Sequence, residues 1–371
     1  MSRNSLGISA FWGALLSSGL ALTLSGSAFA DSAGLNPLYR GAMTTAMGGA
    51  TVATATDEDG LFVNPATMAG NKGFEFHLMP VTVETSTDTI SSVSNTIKAF
   101  HNLDSDSLNV LVGRDIYANA QIAPALVLPN FGVAYMVDQQ VGLTSRNLSL
   151  PQFALGYQTT EALQFSYGVS VLPASKGKKD PVDDLRIGVG YTFAWRRGGY
   201  YPLSLNQLVN MSQTEFNSIV GGFQTASAPD IGAQFIHNVN PRLKIQWGLA
   251  YNQIGDLNFG APTETQDANL STGVAAIYKF TPYTTGTFEY DLQNLNENVQ
   301  FEQKNHIGVS LALPLLTFYA GLNEMLPTFG AAVDLWLLKL TVASYAQEQD
   351  ALVGEDGQRR YLVSLDIKIG I

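Results

Sequence analysis

The second half of the chain alternates. Leu185, Ile187, Val189, Tyr191, Phe193 and Trp195 share one face of an extended chain, while Arg186, Gly188, Gly190, Thr192 and Ala194 share the other. The same two-residue period runs through Leu163 to Val171, Leu243 to Tyr251 and Tyr361 to Ile371. Successive side chains of a strand point to opposite faces, so each run predicts a strand with one apolar side. The uncharged stretch Ile307 to Asn323 alternates too and is interrupted by Pro314, which predicts two strands and a turn instead of one spanning helix. Ten strands are expected from Leu185 onward. Upstream the pattern predicts four more, over 73–84, over 120–138 with a kink at Pro129, and over 142–158 and 162–174.

A soluble β-sandwich also alternates. Here, however, the apolar faces carry aromatics at their ends (Tyr191 to Trp195, Tyr251, Tyr278 to Phe280, Phe288 to Tyr290), and the opposite faces are polar or very small. That is the girdle of a membrane barrel, which must close because an open edge leaves backbone groups unpaired in hydrocarbon. Short connections at Asn240-Pro241, Thr281-Pro282, Pro314 and Leu335 to Leu337 mark one end. Long ones over 86–118, 197–227, 253–267, 293–304 and 348–359 mark the other. The expected fold class is all-β: a transmembrane antiparallel β-barrel of about 14 strands, an even number, with helical outer loops. The C-terminal strand ending at Ile371 resembles the terminal strand that barrel-assembly machinery recognises, although the usual last aromatic is absent.

Composition changes this picture little. Hydrophobic residues at 46% and charged residues at 14% also suit a helical membrane protein, but outside the N-terminus no stretch reads as a spanning helix. Residues 1–30 read as a signal peptide, with Arg3, an apolar run from Ile8 to Leu24 and a small-x-small site at Ala28-Phe29-Ala30 before Asp31. Its removal deletes one base and no acid, taking the formal charge from −11 to −12. Such an acidic chain is not a nucleic-acid binder. The absence of cysteine removes disulfides and thiolate metal sites.

One segment is neither signal, strand nor ordinary loop. Arg40 to Gly70 alternates small residues (Ala42, Ala46, Gly48, Gly49, Ala50, Ala53) with Met43, Met47 and Val52, so backbone can approach backbone closely. It ends in a compact helical turn, with Asn64 as N-cap, Pro65 in the first position and Gly70 just past the end. The string Arg40, Gly41, Ala46 to Ala50, Val52, Ala53, Asp57, Asn64, Pro65, Ala66, Met68 and Ala69 resembles the outer-membrane transport superfamily that includes the FadL-type long-chain fatty acid transporter and the PorV shuttle protein. The resemblance implies that residues 31–72 plug or hatch a barrel formed by 73–371 in the bacterial outer membrane. Arg40, Gly48, Gly49, Asp57, Asn64, Pro65 and Ala66 are then hatch residues. It further implies transport of hydrophobic small molecules such as long-chain fatty acids or, alternatively, PorV-like docking of secreted proteins.

Two outer loops carry helical periodicity. After Ser204, a candidate N-cap, Leu205, Leu208, Val209, Phe216, Ile219, Val220 and Phe223 fall on one stripe, as do Ile90, Val93, Ile97 and Phe100. Such a stripe either packs on the barrel rim or receives a lipid-like ligand, and Leu208, Val209, Phe216, Ile219, Val220 and Phe223 are the candidate ligand-binding residues. Arg196 and Arg197, at the outer end of a strand, read as solvated or as contacts to lipid headgroups and lipopolysaccharide phosphate. Catalytic signatures are missing: no G-x-S-x-G and no phosphate loop occurs, so no enzyme activity and no cofactor are expected. His77, His101, His237 and His306 lack metal-site spacing and are read as ordinary polar residues.

Overall fold

A computed structural model describes residues 38–92, 113–144, 152–172, 183–261, 263–348 and 357–370. The signal peptide, His101 and the Val93 to Phe100 part of the first helical stripe lie outside the described residues. Sixteen antiparallel segments make one sheet that closes on itself. They are β1 Glu75–His77, β2 Val81–Ser86, β3 Asp115–Ile122, β4 Ala125–Leu128, β5 Phe131–Thr144, β6 Gln152–Ser170, β7 Asp184–Ser204 and β8 Gln224–Asn238. The ring continues through β9 Leu243–Asn252, β10 Asn269–Thr281, β11 Thr284–Leu292, β12 Asn305–Ala312, β13 Leu316–Asn323, β14 Leu326–Asp334, β15 Leu338–Glu348 and β16 Gly357–Gly370. Because β1 and β2 lie along one wall strand, and β3 and β4 along the next, sixteen segments make 14 wall strands.

The total agrees with the alternation, but the partition upstream of Leu185 does not. Pro129-Asn130 is a hairpin turn between β4 and β5, with Asn130 at φ 66°, instead of a kink in one strand. Conversely, the expected breaks at 139–141 and 159–161 do not exist, since β5 runs on to Thr144 and β6 passes through Thr159, Thr160 and Glu161, while the expected strand 142–158 spans the boundary between β5 and β6. Two missed connections and two spurious breaks left the count unchanged.

Among the described residues no helix is long and apolar enough to cross a membrane, and the outer wall is apolar instead. Val363, 49% exposed at the midpoint of β16, faces out; Ser364, 7% exposed, faces in. Val363→Arg is expected to cost about 2–4 kcal/mol in urea titrations of the bilayer-inserted barrel, and Ser364→Asn far less. Equal costs would show the two faces to be misassigned.

The wall has an irregular seam between β1 and β2. Leu78, Met79 and Pro80 stand against two residues of β16 (Asp366, Ile367) and two of the opposite strand (Ala123, Pro124). An extra residue of this kind is a β-bulge. Pro80 and Pro124 have no N–H to give to a ladder. The bulge turns Leu78 and Met79, adjacent in sequence, both outward, and it shifts the inward face from His77 to Thr82.

Candidate functional site

The plug lies inside the barrel as α1 Ala42–Ala46, α2 Asp57–Val63 and a 3-10 turn Pro65–Gly70. Asn64 is wholly buried, and its side-chain oxygen accepts from the Ala66 N–H at 3.1 Å, as an N-cap should. Its amide donates to Val52 O at 2.9 Å and to the wall carbonyl of Ala233 at 3.3 Å, so one side chain closes the turn and fixes it to β8. Gly48 and Gly49, at φ 69° and 85°, take a left-handed course open to few other residues. Asp57 opens α2.

Wall and plug meet through small residues. Gly168, Gly188 and Gly232 stand side by side on β6, β7 and β8, and a Cβ on Gly188 would lie 2.3 Å from the Ala66 nitrogen. Polar wall side chains then hold the plug by its backbone. Gln234 donates to Ala53 O at 2.6 Å, Gln293 to Gly49 O at 2.8 Å, Asn252 to Val63 O at 3.0 Å and Ser166 to Leu61 O at 2.9 Å. Asp291 and Glu289 accept from the Val52 and Ala53 N–H groups at 2.9 and 2.6 Å. None of these wall residues was singled out by the sequence pattern, which shows which way a side chain points and not what it meets.

The lumen is also more charged than the small inward residues of β6, β7 and β9 imply. Glu84 on β2 is completely buried; it accepts from the Tyr345 hydroxyl at 2.8 Å and faces Arg40 Nε at 3.6 Å. Arg40 lies over the Tyr345 ring, and Arg360 lies 3.5 Å over the Tyr117 ring. Arg196, read from sequence as an outer-surface cation, points inward instead, donating to Thr160 Oγ1 at 2.9 Å and stacking over Phe259. In the plug, burial pushes the Glu58 carboxyl up to about 7 against the opposing pull of His77. Burial also raises Asp59, although Tyr39 donates to it at 2.6 Å.

Two cavities flank this plug. The larger, about 540 Å³, opens between Leu38, Tyr39, Arg40, Phe62, Val63, Arg196 and Glu264 on the long-loop side. The smaller, about 30 Å³, lies beside the seam, between Tyr39, Ala42, Met43, Pro80 and Ala123. Tyr39 lines both and is stacked on Phe62 with ring centroids 4.0 Å apart. Leu38, Leu61, Phe62 and Met68 of the plug pack with Ala123, Ala125, Ala134 and Met136 of the wall, forming one apolar body from the larger cavity to the seam.

The chain is a plugged transmembrane β-barrel. No protein-family model and no curated protein matches its sequence. Among solved structures it is similar to the toluene transporter TbuX of Ralstonia pickettii, at 12% identity over 89% of this chain and 97% of that one, with a TM-score of 0.47. It is also similar to the CymD monoaromatic hydrocarbon channel (10%; 89% and 97%; TM-score 0.49) and to the P. putida toluene transporter TodX (14%; 89% and 97%; TM-score 0.44). The likeness is one of overall fold.

The helical loop after β7 forms two short helices, α3 Leu205–Asn210 and α4 Gln213–Val220, each opened by a capping box, at Ser204 and at Ser212. The side chains of Leu208 and Val209 fall outside the described residues. Phe216 and Val220 are buried against Phe153, Leu155, Tyr157, Tyr201 and Leu203, with Ile219 packed at the edge. Those wall residues belong to the outward faces of β6 and β7, so α4 covers the side of the barrel and not its mouth. Phe223 is 38% exposed under Arg197, whose guanidinium lies 4.5 Å from its ring centroid. Phe216→Ser is therefore expected to destabilise the outer rim by about 2–3 kcal/mol, and Phe223→Ser by much less. Thermal unfolding of the two single variants checks this difference.

Proposed function

We propose that this chain is a bacterial outer-membrane transporter for hydrophobic small molecules, taking them from the larger cavity past the Tyr39–Phe62 pair to the wall seam. The observation that carries the reading is the continuous apolar packing of Leu38, Leu61, Phe62 and Met68 with Ala123, Ala125 and Met136, which ends at the Leu78–Pro80 bulge. An apolar solute gains about 25 cal/mol per Å² of surface that leaves water, so contact with this apolar body favours its entry, with Glu58, Asp59, Lys339 and Asp366 sharing the lining of the smaller cavity. Ligand sites are commonly apolar with a few placed polar groups; here Arg40 and Arg196 share the cavity wall with Glu264, Asp267, Glu297 and Glu324. Long-chain fatty acids and compact aromatic hydrocarbons are the solute classes of the proposal. Ile219 and Phe223, at the margin of the α4 packing, are the parts of the stripe open to an arriving ligand, and exposed Leu78 and Met79 face outer-membrane lipid at the exit.

The test is uptake of a fluorescent hydrophobic probe by liposomes carrying the full barrel. Ala123→Trp fills the small cavity beside Pro80 and should reduce uptake at least tenfold, with the barrel still folded by gel mobility. Uptake equal to that of empty liposomes in the unmodified protein sinks the reading. Secreted proteins co-purifying with a barrel that takes up no probe would establish docking of the PorV type instead.

A further inference from the structure

We propose that Glu58, His77 and Asp366 form a binding site for a divalent cation of the zinc class, which ties the plug to the barrel wall beside the seam. Three elements far apart in sequence converge there: α2 of the plug, β1 and β16. His77 Nδ1 lies 2.9 Å from Asp366 Oδ2 and 3.3 Å from Glu58 Oε2, and one ligand atom from each residue falls within 4.8 Å of the others. Donor atoms about 2.0–2.2 Å from a tetrahedral Zn²⁺ stand roughly 3.3 Å apart, so the three are already near ligand spacing. One imidazole and two carboxylates suit zinc, whereas calcium and magnesium take oxygen alone.

Two further observations point the same way. His77 is almost wholly buried, yet its Nε2 has no hydrogen-bond partner; it faces Glu75 Oε2, also unpartnered, at 3.7 Å. With Nδ1 on a metal, that N–H has the carboxylate neighbour which typically orients a ligating histidine. Asp366 Oδ1 is buried without a partner as well. The surroundings are also short of positive charge. Asp57, Glu58, Asp59, Glu75 and Asp366 meet Lys339, Lys368 and His77, so carboxyl groups outnumber bases, and Lys368 is shared with Asp334 at 3.9 Å. Two ligands come from the wall and one from the plug, so the cation binds the docked plug more tightly than the released one, and docking is strengthened in proportion. This inference stands on the side-chain geometry and does not depend on the transported compound.

The experiment is a Co²⁺ titration of the full barrel in detergent after treatment with a chelator and dialysis, followed by displacement with Zn²⁺. The unmodified protein should bind one Co²⁺ with the visible absorption of a low-coordinate site. Glu58→Gln, on the plug and so harmless to the wall, should weaken binding at least tenfold, and His77→Gln should abolish the absorption. Trypsin provides a second readout, because Lys72 is exposed between plug and wall. Zn²⁺ should slow cleavage there at least threefold in the unmodified protein and leave Glu58→Gln unchanged. No stoichiometric Co²⁺ binding by the unmodified protein would overturn the proposal, as would binding that both variants retain. Binding lost in His77→Gln but kept in Glu58→Gln would overturn the tie to the plug.

Discussion

Replacing Glu84 by glutamine should cost about 3–5 kcal/mol, because it breaks a buried ionic cluster from one side. Glu84 is the carboxylate facing Arg40 at 3.6 Å, and both the Tyr345 and Tyr117 hydroxyls donate to it, at 2.8 and 3.4 Å. Arg360, stacked on Tyr117, adds a second guanidinium to the same space, so a neutral amide leaves positive charge in a confined lumen without its counterpart. The measurement is urea unfolding of the detergent-solubilised barrel, run as a double-mutant cycle with Arg40→Met. The double variant should lose at least 1 kcal/mol less than the sum of the singles. Simple additivity would show that Arg40 and Glu84 do not support one another and that the plug's first residues are held by other means.

A single methyl-bearing side chain in the glycine ledge should release the plug. Gly188→Val places atoms where the Pro65 carbonyl carbon and Ala66 nitrogen now sit, each 2.3 Å from the first added carbon. Backbone on one side and a paired strand on the other leave nothing flexible to yield, so about 3 kcal/mol of overpacking falls on the turn itself. The turn moves and the Asn64 bonds to Val52 and Ala233 go with it. Expected results are a rise in small-solute leak of at least tenfold and rapid trypsin cleavage at Arg40 and Lys72, with heat resistance of the barrel kept. Unchanged leak together with a cleaved, demonstrably mobile plug would show that the plug does not seal the lumen.

Much of this architecture is visible in local sequence because the period of a strand is local. Val363 and Ser364 need no partner to reveal their opposite faces, and Asn64-Pro65 announces its turn by its own chemistry. The misreadings have physical causes. Thr159 and Thr160 look like a turn, since polar pairs usually are, but both are buried in the strand, Thr160 facing the lumen beside Arg196 and Thr159 facing outward beside the Tyr157 hydroxyl. Pro129-Asn130 carries turn chemistry in plain view, with proline setting one φ and asparagine tolerating the positive one. The even count concealed it, because spurious breaks at 139–141 and 159–161 kept the total at 14. Glu58, His77 and Asp366 are a different case. Asp366 is 289 residues from His77, and no spacing rule connects residues that only ring closure brings together.

The grip on the plug runs from wall side chains to plug backbone: Gln234 to Ala53, Gln293 to Gly49, Asn252 to Val63, Glu289 and Asp291 to the Val52 and Ala53 amides. A peptide group is the same whatever side chain it carries. The side chains of Leu38, Tyr39, Val52, Phe62 and Val63, which line the larger cavity, are therefore not the groups that these wall residues hold. Substitution at those five positions leaves the wall's hydrogen bonds to the plug backbone in place, so the lining of the cavity can change while these contacts persist.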